Sequence, residues 1–179
     1  MTGLIQRLLK RFGREERGTA TVEFVLVAPL FIAFLVFSVE LGMVTLRTAM
    51  IERGLDIAVR DVRLGSGAAP DHDEIKQIVC DRAAIIPNCN EKLRLEMRPT
   101  DIRNFNPLGP TPDCTDASDP TKPLRDFVPG GQNRLTLMRA CLKYRPIFPQ
   151  YALGRALETD SNGEAAITAT SSFVQEPAS

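Results

Sequence analysis

The run Phe24–Val39, FVLVAPLFIAFLVFSV, contains no charged residue across sixteen positions. No small domain buries so long an apolar stretch easily, whereas a bilayer core accepts about 20 residues of helix. Counted from Val22 to Leu46, the stretch is long enough to cross, with only Glu23 and Glu40 charged within it. Arg7, Lys10, Arg11, Arg14 and Arg17 precede it against Glu15 and Glu16, so residues 1–18 carry a charge of +3 and the remainder −3. A basic head before an apolar run is a targeting pattern. The basic excess on that side puts the N-terminus in the cytoplasm and everything after the run on the far side. The chain as a whole is neutral, with 22 basic and 22 acidic residues, and offers no bulk charge for a nucleic-acid partner.

The helical pattern does not stop at the bilayer. Ile51, Leu55, Ala58 and Val62 recur at i, i+4, i+7 and i+11, while Glu52, Arg53, Asp56, Arg60, Asp61 and Arg63 occupy other faces. An apolar helix therefore runs on into an amphipathic one. Gly54 weakens it modestly and Gly65-Ser66-Gly67 ends it. Thr19 to Leu64 gives 46 residues, roughly 70 Å of helix. Upstream, Leu4, Ile5, Leu8, Leu9 and Phe12 form a stripe beside basic residues, either a segment lying on the inner membrane surface or a plain cytoplasmic tail.

Cys80, Cys89, Cys114 and Cys141 all follow the apolar run. An even number of cysteines in a small translocated domain reads as two disulfides. Sequence does not separate the three pairings. Cys80–Cys89 with Cys114–Cys141 is favoured, because neighbours close the smaller loops. Zinc is disfavoured, since there is no CxxC and His72 is the only histidine.

Asp71 and Glu74 form a capping-box-like pair opening a second helix, with Ile75, Ile78 and Val79 on one face and Pro87 as its stop. Leu93, Leu95 and Met97 alternate with Arg94, Glu96 and Arg98, the pattern of a half-buried strand. Residues 99–133 hold seven of the 13 prolines and predict a long loop tied down by Cys114. Further strands are expected over Arg134–Tyr144 and Ala165–Val174, with Ile167, Ala169 and Phe173 sharing a face and a turn at Asp160-Ser161-Asn162-Gly163 before the last one. Three antiparallel strands need a helix across one face, and the outer half of the long helix is available. The expected class is α+β, a long N-terminal transmembrane and amphipathic helix packed on a small antiparallel sheet with one short helix. The expected organisation is a cytoplasmic leader at 1–18, a transmembrane helix at 19–46 and an outer domain at 47–179.

The segment Arg17-Gly18-Thr19-Ala20-Thr21-Val22-Glu23-Phe24 carries the most specific signal. A lone carboxylate at the head of an apolar helix costs a few kcal/mol at mid-membrane depth and less near the interface. A cut between Gly18 and Thr19 supplies a compensating partner, the new α-amino group of a neighbouring subunit. GTATVEF resembles the cleavage motif of type IV-like prepilins of the Flp/Tad class, in which Gly is followed by four residues, Glu and an aromatic residue. VEFVLVAPLFIAFLVFSVELG is similar to the start of the TadE-like (TadE, TadF, TadG) minor pilins, with Glu23, Pro29, Glu40 and Gly42 in family-like places, and SSFVQEP is similar to the family's C-terminal strand. The resemblance covers about the first 65 residues well and the rest loosely.

The resemblance implies processing after Gly18 by a prepilin peptidase, with Gly18, Thr19, Glu23 and Phe24 as the recognised residues. It also implies a minor pilin (pseudopilin) of the bacterial inner membrane, single-pass, with its outer domain in the periplasm or carried into an extracellular pilus. The implied partners are other pilins and pseudopilins, the prepilin peptidase, the inner-membrane assembly platform and membrane lipid. Pilus assembly, initiation or adhesion is the implied role. The alternative is a signal-anchored periplasmic binding or sensor protein that is never cut. A secreted protein released by signal peptidase is a weaker third reading, because no small-x-small site follows the apolar core.

Other residues read more plainly. Glu40 lies 17 positions from Glu23, about 260° around the helix, and is expected at the outer interface at small cost, with an intersubunit contact the less favoured reading. Pro29 is read as a tolerated membrane proline, and Gly42 is too isolated to mark a packing motif. Asp113, Asp116 and Asp119 lack the Gly and terminal Glu of a calcium loop, and solvated loop acids are the expectation. His72 beside Asp71 and Asp73 is a candidate group titrating near neutral pH. Lys143-Tyr144-Arg145 is expected to be a strand edge protected by charge. With one histidine and no GxSxG or HExxH, no catalytic constellation, metal site or cofactor is expected.

Overall fold

The computed structural model describes residues 19–64, 71–115 and 127–177. The leader with its apolar stripe and Gly18, the Gly65-Ser66-Gly67 stop, and Asp116 and Asp119 lie outside the described residues. Helix α1 runs from Thr19 to Leu64, the span expected from its two consecutive patterns, and Pro29 lies within it. Helix α2 (His72–Arg82), helix α3 (Cys89–Lys92), strand β1 (Leu93–Thr100), strand β2 (Leu135–Tyr144), helix α4 (Ala152–Ala156) and strand β3 (Ala165–Val174) follow. The arrangement is α+β, as the sequence predicts.

The sheet has order β1-β2-β3, antiparallel throughout. Leu93, Leu95 and Met97 of β1, Met138, Ala140 and Leu142 of β2, and Ala169 and Phe173 of β3 face α1 and α2 across one core. Into it α1 delivers Ile51, Leu55, Ala58, Val59 and Val62, and α2 delivers Ile75 and Val79. The stripe read from the sequence is thus the face that covers the sheet. Gly54 sits on that face for a reason other than helix weakening. A Cβ there would lie 2.7 Å from the Val79 carbonyl oxygen, so glycine sets how closely α1 and α2 approach.

Four local expectations need correction. Asp71 occupies the N-cap of α2 but makes no side-chain capping bond. Helix α2 ends at Arg82, well before Pro87, because the Cys80–Cys89 disulfide brings those Cα atoms to 5.6 Å and turns the chain back on itself. Strand β1 is not half-buried: Leu93 through Met97 are buried on both faces, since the chain from Asp101 to Thr115 folds over the side away from the helices. The expected loop therefore begins after Thr100, and its far end returns to the β1 edge, where the Val128 N–H donates to the Met97 carbonyl at 2.8 Å. Finally, Lys143 and Tyr144 belong to the central strand rather than an edge.

Disulfides join Cys80 to Cys89 and Cys114 to Cys141, the pairing of sequence neighbours. The second ties the covering loop to the central strand. Beneath that loop, Arg139 and Glu96 face each other across β2 and β1, with Arg139 donating to both carboxylate oxygens at 2.5 and 3.0 Å and to the carbonyls of Gly109 and Thr111. Bidentate pairing of this kind holds a charged pair away from water without orphaned donors. Asp113, expected to be solvated, is 4% exposed and pairs with Arg94 at 3.3 Å. No group of residues able to hold a metal occurs among the described residues.

Candidate assembly surface and membrane exit

Helix α1 divides in two at Glu40. From Thr19 to Val39 no residue is buried, and most of the bulky side chains are exposed around the whole circumference, Phe24 at 70% among them. An all-round apolar helix with no protein cover is the pattern of a lipid or bundle environment. Thr19, Glu23 and Phe24 lie at its start, all exposed. The first basic residue along α1 is Arg47, so the helix itself offers Glu23 no counter-ion within reach.

Glu40 is the first buried residue of the helix, at 0% exposure, its carboxylate enclosed by the rest of the fold. Its carboxylate accepts the backbone N–H of Ile147 at 3.2 Å and of Phe148 at 2.8 Å. These amides belong to the loop joining β2 to α4, where Pro146 and Pro149 break up any regular pairing. Charge-assisted bonds to two amides compensate the desolvation of a buried carboxylate.

Two turns further on, the Arg47 guanidinium stacks 4.8 Å from the centre of the Tyr144 ring, a cation–π contact in a largely dry site. Its Nη1 has no hydrogen-bond partner. Tyr144 is buried among Ala165, Ile167, Val44 and Leu157. Burial pushes its phenol above the ordinary value, with Arg47 opposing and Glu40 adding to the rise. Desolvation disfavours the charged phenolate, so the ring stays neutral.

A signal for this junction was present in the sequence. The stripe Ile51, Leu55, Ala58 and Val62 extends backwards at the same spacing through Arg47, Val44 and Glu40. Polar residues on an apolar stripe are buried partners in waiting.

The remaining polar residues serve structure. Beside Tyr144, Lys143 pairs with Asp160, and Arg145 donates to the Asn162 carbonyl at 3.1 Å. Asp160 organises the expected turn, its Oδ1 accepting the N–H of Asn162 and Glu164, while Gly163 takes φ +72°. Burial alone would raise the Asp160 pKa, but the bonds from Lys143, Glu164 and Asn162 outweigh it and hold the carboxyl below its usual range. His72 is buried, with Nδ1 2.9 Å from Asp73 Oδ1 and the Leu95 N–H directed at Nε2 from 3.4 Å. Its ring also meets Phe127 edge-on at 5.1 Å. The bond from His72 lowers the Asp73 pKa, helped by Lys76. These contacts make His72 a brace between α2 and β1.

Neither the comparison with curated proteins nor that with solved structures returned a match. Residues 18–60 match the family model of the TadE-like protein. The matched stretch contains Gly18, Glu23, the whole exposed half of α1 and the docked residues from Glu40 to Val59. Over residues 18–60, therefore, the chain is similar to the TadE-like family.

Proposed function

We propose that this protein is a minor pilin-like subunit of a Tad-type pilus system, anchored in the bacterial inner membrane through residues 19–39 and carrying residues 40–177 on the outer side. The observation that carries the reading is the division of α1, whose first half is apolar and uncovered and whose second half is built into a disulfide-tied domain. From Thr19 to Val39 the helix rises roughly 30 Å, matching a hydrocarbon core of about 30 Å. The membrane boundary then falls at Glu40, somewhat before the Leu46 expected from hydropathy.

In this reading a prepilin peptidase cuts after Gly18, and the released α-amino group of Thr19 in one subunit pairs with Glu23 in the next. Apolar contacts between uncovered helices have little directionality, so a single charge pair in that environment fixes register. The role is structural: other pilins and the assembly platform are the partners, and the outer domain is presented for initiation, tip or adhesive function. The groove of about 940 Å³ between α1 and the end of β3, lined in part by Arg60, Asn133 and Gln175 and closed by the Arg63–Glu176 pair, is what the alternative, an uncut signal-anchored binding or sensor protein, has in its favour.

N-terminal sequencing of the membrane-bound protein separates the two. A chain beginning Thr-Ala-Thr-Val-Glu only in cells holding a prepilin peptidase supports the pilin reading, and a retained leader in both backgrounds overturns it. Glu23→Val is expected to insert into the membrane normally and to fail in assembly. Wild-type piliation in that variant would remove the charge-pairing argument.

A further inference from the structure

We propose that the loop Pro146–Tyr151, with the start of α4, is a bilayer-docking surface that seats the outer domain on the lipid headgroups at the point where α1 leaves the membrane. The inference rests on the membrane-spanning reading of residues 19–39. Glu40 is the first buried residue after that span and binds the loop through the amides of Ile147 and Phe148, so the loop is fixed at the height of the membrane boundary. The backbone is locked there from the other side too. The Tyr151 N–H donates to the Phe148 carbonyl at 3.1 Å, and a Cβ at Gly154 would lie 2.2 Å from that same oxygen, so only glycine lets α4 sit against the loop.

What the loop turns outward suits a headgroup region. Ile147 is 42% and Tyr151 67% exposed. Between Arg145 and Leu157 the chain has two arginines, Arg145 and Arg155, both exposed, and no acid. Aromatic rings with a polar tip favour the interface, and exposed arginines favour anionic headgroups. This surface continues directly from the uncovered apolar half of α1. The opposite end of the sheet, where Thr100 pairs with Leu135 and Leu135 with Val174, lies a strand's length of ten residues away, roughly 33 Å.

The absence of tryptophan makes the test direct. Full chains carrying one tryptophan each, as Phe31→Trp, Ile147→Trp, Tyr151→Trp or Ile102→Trp, are reconstituted in phosphatidylethanolamine–phosphatidylglycerol vesicles with acyl chains brominated at shallow or deep positions. Retention of both disulfides is confirmed by the absence of free thiols. The expected result is that Phe31→Trp loses fluorescence to deep bromines. Tyr151→Trp and Ile147→Trp lose it to shallow bromines with a blue shift, and Ile102→Trp is not quenched. Quenching of Phe31→Trp with none at positions 147 and 151 overturns the docking surface while leaving the span intact. Shallow quenching at position 102 equal to that at 151 overturns it as well, since the domain would then lie flat. No quenching at Phe31→Trp sinks the spanning reading, and this inference with it.

Discussion

Replacing Glu40 by alanine tests whether the uncovered apolar helix and the disulfide-tied domain are joined as described. The substitution leaves the part-buried amides of Ile147 and Phe148 without their acceptor and removes an anion that acts on Tyr144. A hydrogen bond to a charged group contributes about 1.5–3 kcal/mol, so losing two costs the loop about 3 kcal/mol or more. At 1.4 kcal/mol per decade that is about a hundredfold in a local opening equilibrium. Hydrogen exchange on the full chain in detergent reads it directly. The amides of Ile147 and Phe148 are expected to exchange about a hundredfold faster in Glu40→Ala. In Glu40→Gln one carbonyl oxygen still accepts while the amide nitrogen faces a donor, and the acceleration falls to roughly tenfold. Amides of the central strand, such as Met138 and Ala140, should keep wild-type protection in both. Unchanged exchange at Ile147 and Phe148 would refute the clamp. An equal loss of protection throughout β2 would show instead that Glu40 supports the whole domain.

Three further outcomes follow from the packing. Gly54→Ala gains up to about 1 kcal/mol in helix propensity, but its Cβ meets the Val79 carbonyl, and overpacking costs about 1–3 kcal/mol; thermal unfolding should show a net fall in Tm, and a rise would mean that α1 and α2 separate freely. Cys114→Ser releases the covering loop from β2 and should destabilise the disulfide-tied domain by about 2–5 kcal/mol, an expectation contradicted by an unchanged Tm. The Asp160 carboxyl is held below its ordinary value, so its stabilising contribution is complete above about pH 4 and lost as pH falls through the lowered native value. Asp160→Asn should therefore lower stability at neutral pH and flatten its decline on acidification, whereas a parallel acid limb in mutant and wild type would exclude this carboxylate as a contributor.

Much of the architecture is written in short-range patterns. The length of α1 is legible because an all-apolar run and a 3.6-residue stripe adjoin without a break, and each reports its environment locally. Strands β2 and β3 are legible from alternation, and the turn before β3 from Asp160 to Gly163. The resemblance to a prepilin cleavage motif, too, is a local signal, residing in the spacing of Gly18, Glu23 and Phe24 beside an apolar run.

Periodicity identifies an apolar face, but it does not identify which polar residues find partners far along the chain. Glu40 reaches amides 107 and 108 residues away, and Glu96 is paired with Arg139 across 43. In the sequence each of these is an ordinary charge that water would suit. Only the folded chain, by bringing the loop of Asp101–Thr115 over β1 and the loop of Pro146–Tyr151 against α1, removes that water and makes the carboxylates structural. The same holds for Gly54, whose meaning depends on a carbonyl of another helix, and for Lys143 and Tyr144, whose strand is central because β3 returns beside it. The sequence by itself determined the long helix, the three strands and an apolar run long enough to cross a membrane, since those depend on neighbours within a few residues. The tertiary structure decided which charges are buried and where the domain grips its anchor, since those depend on contacts between segments that no local pattern relates.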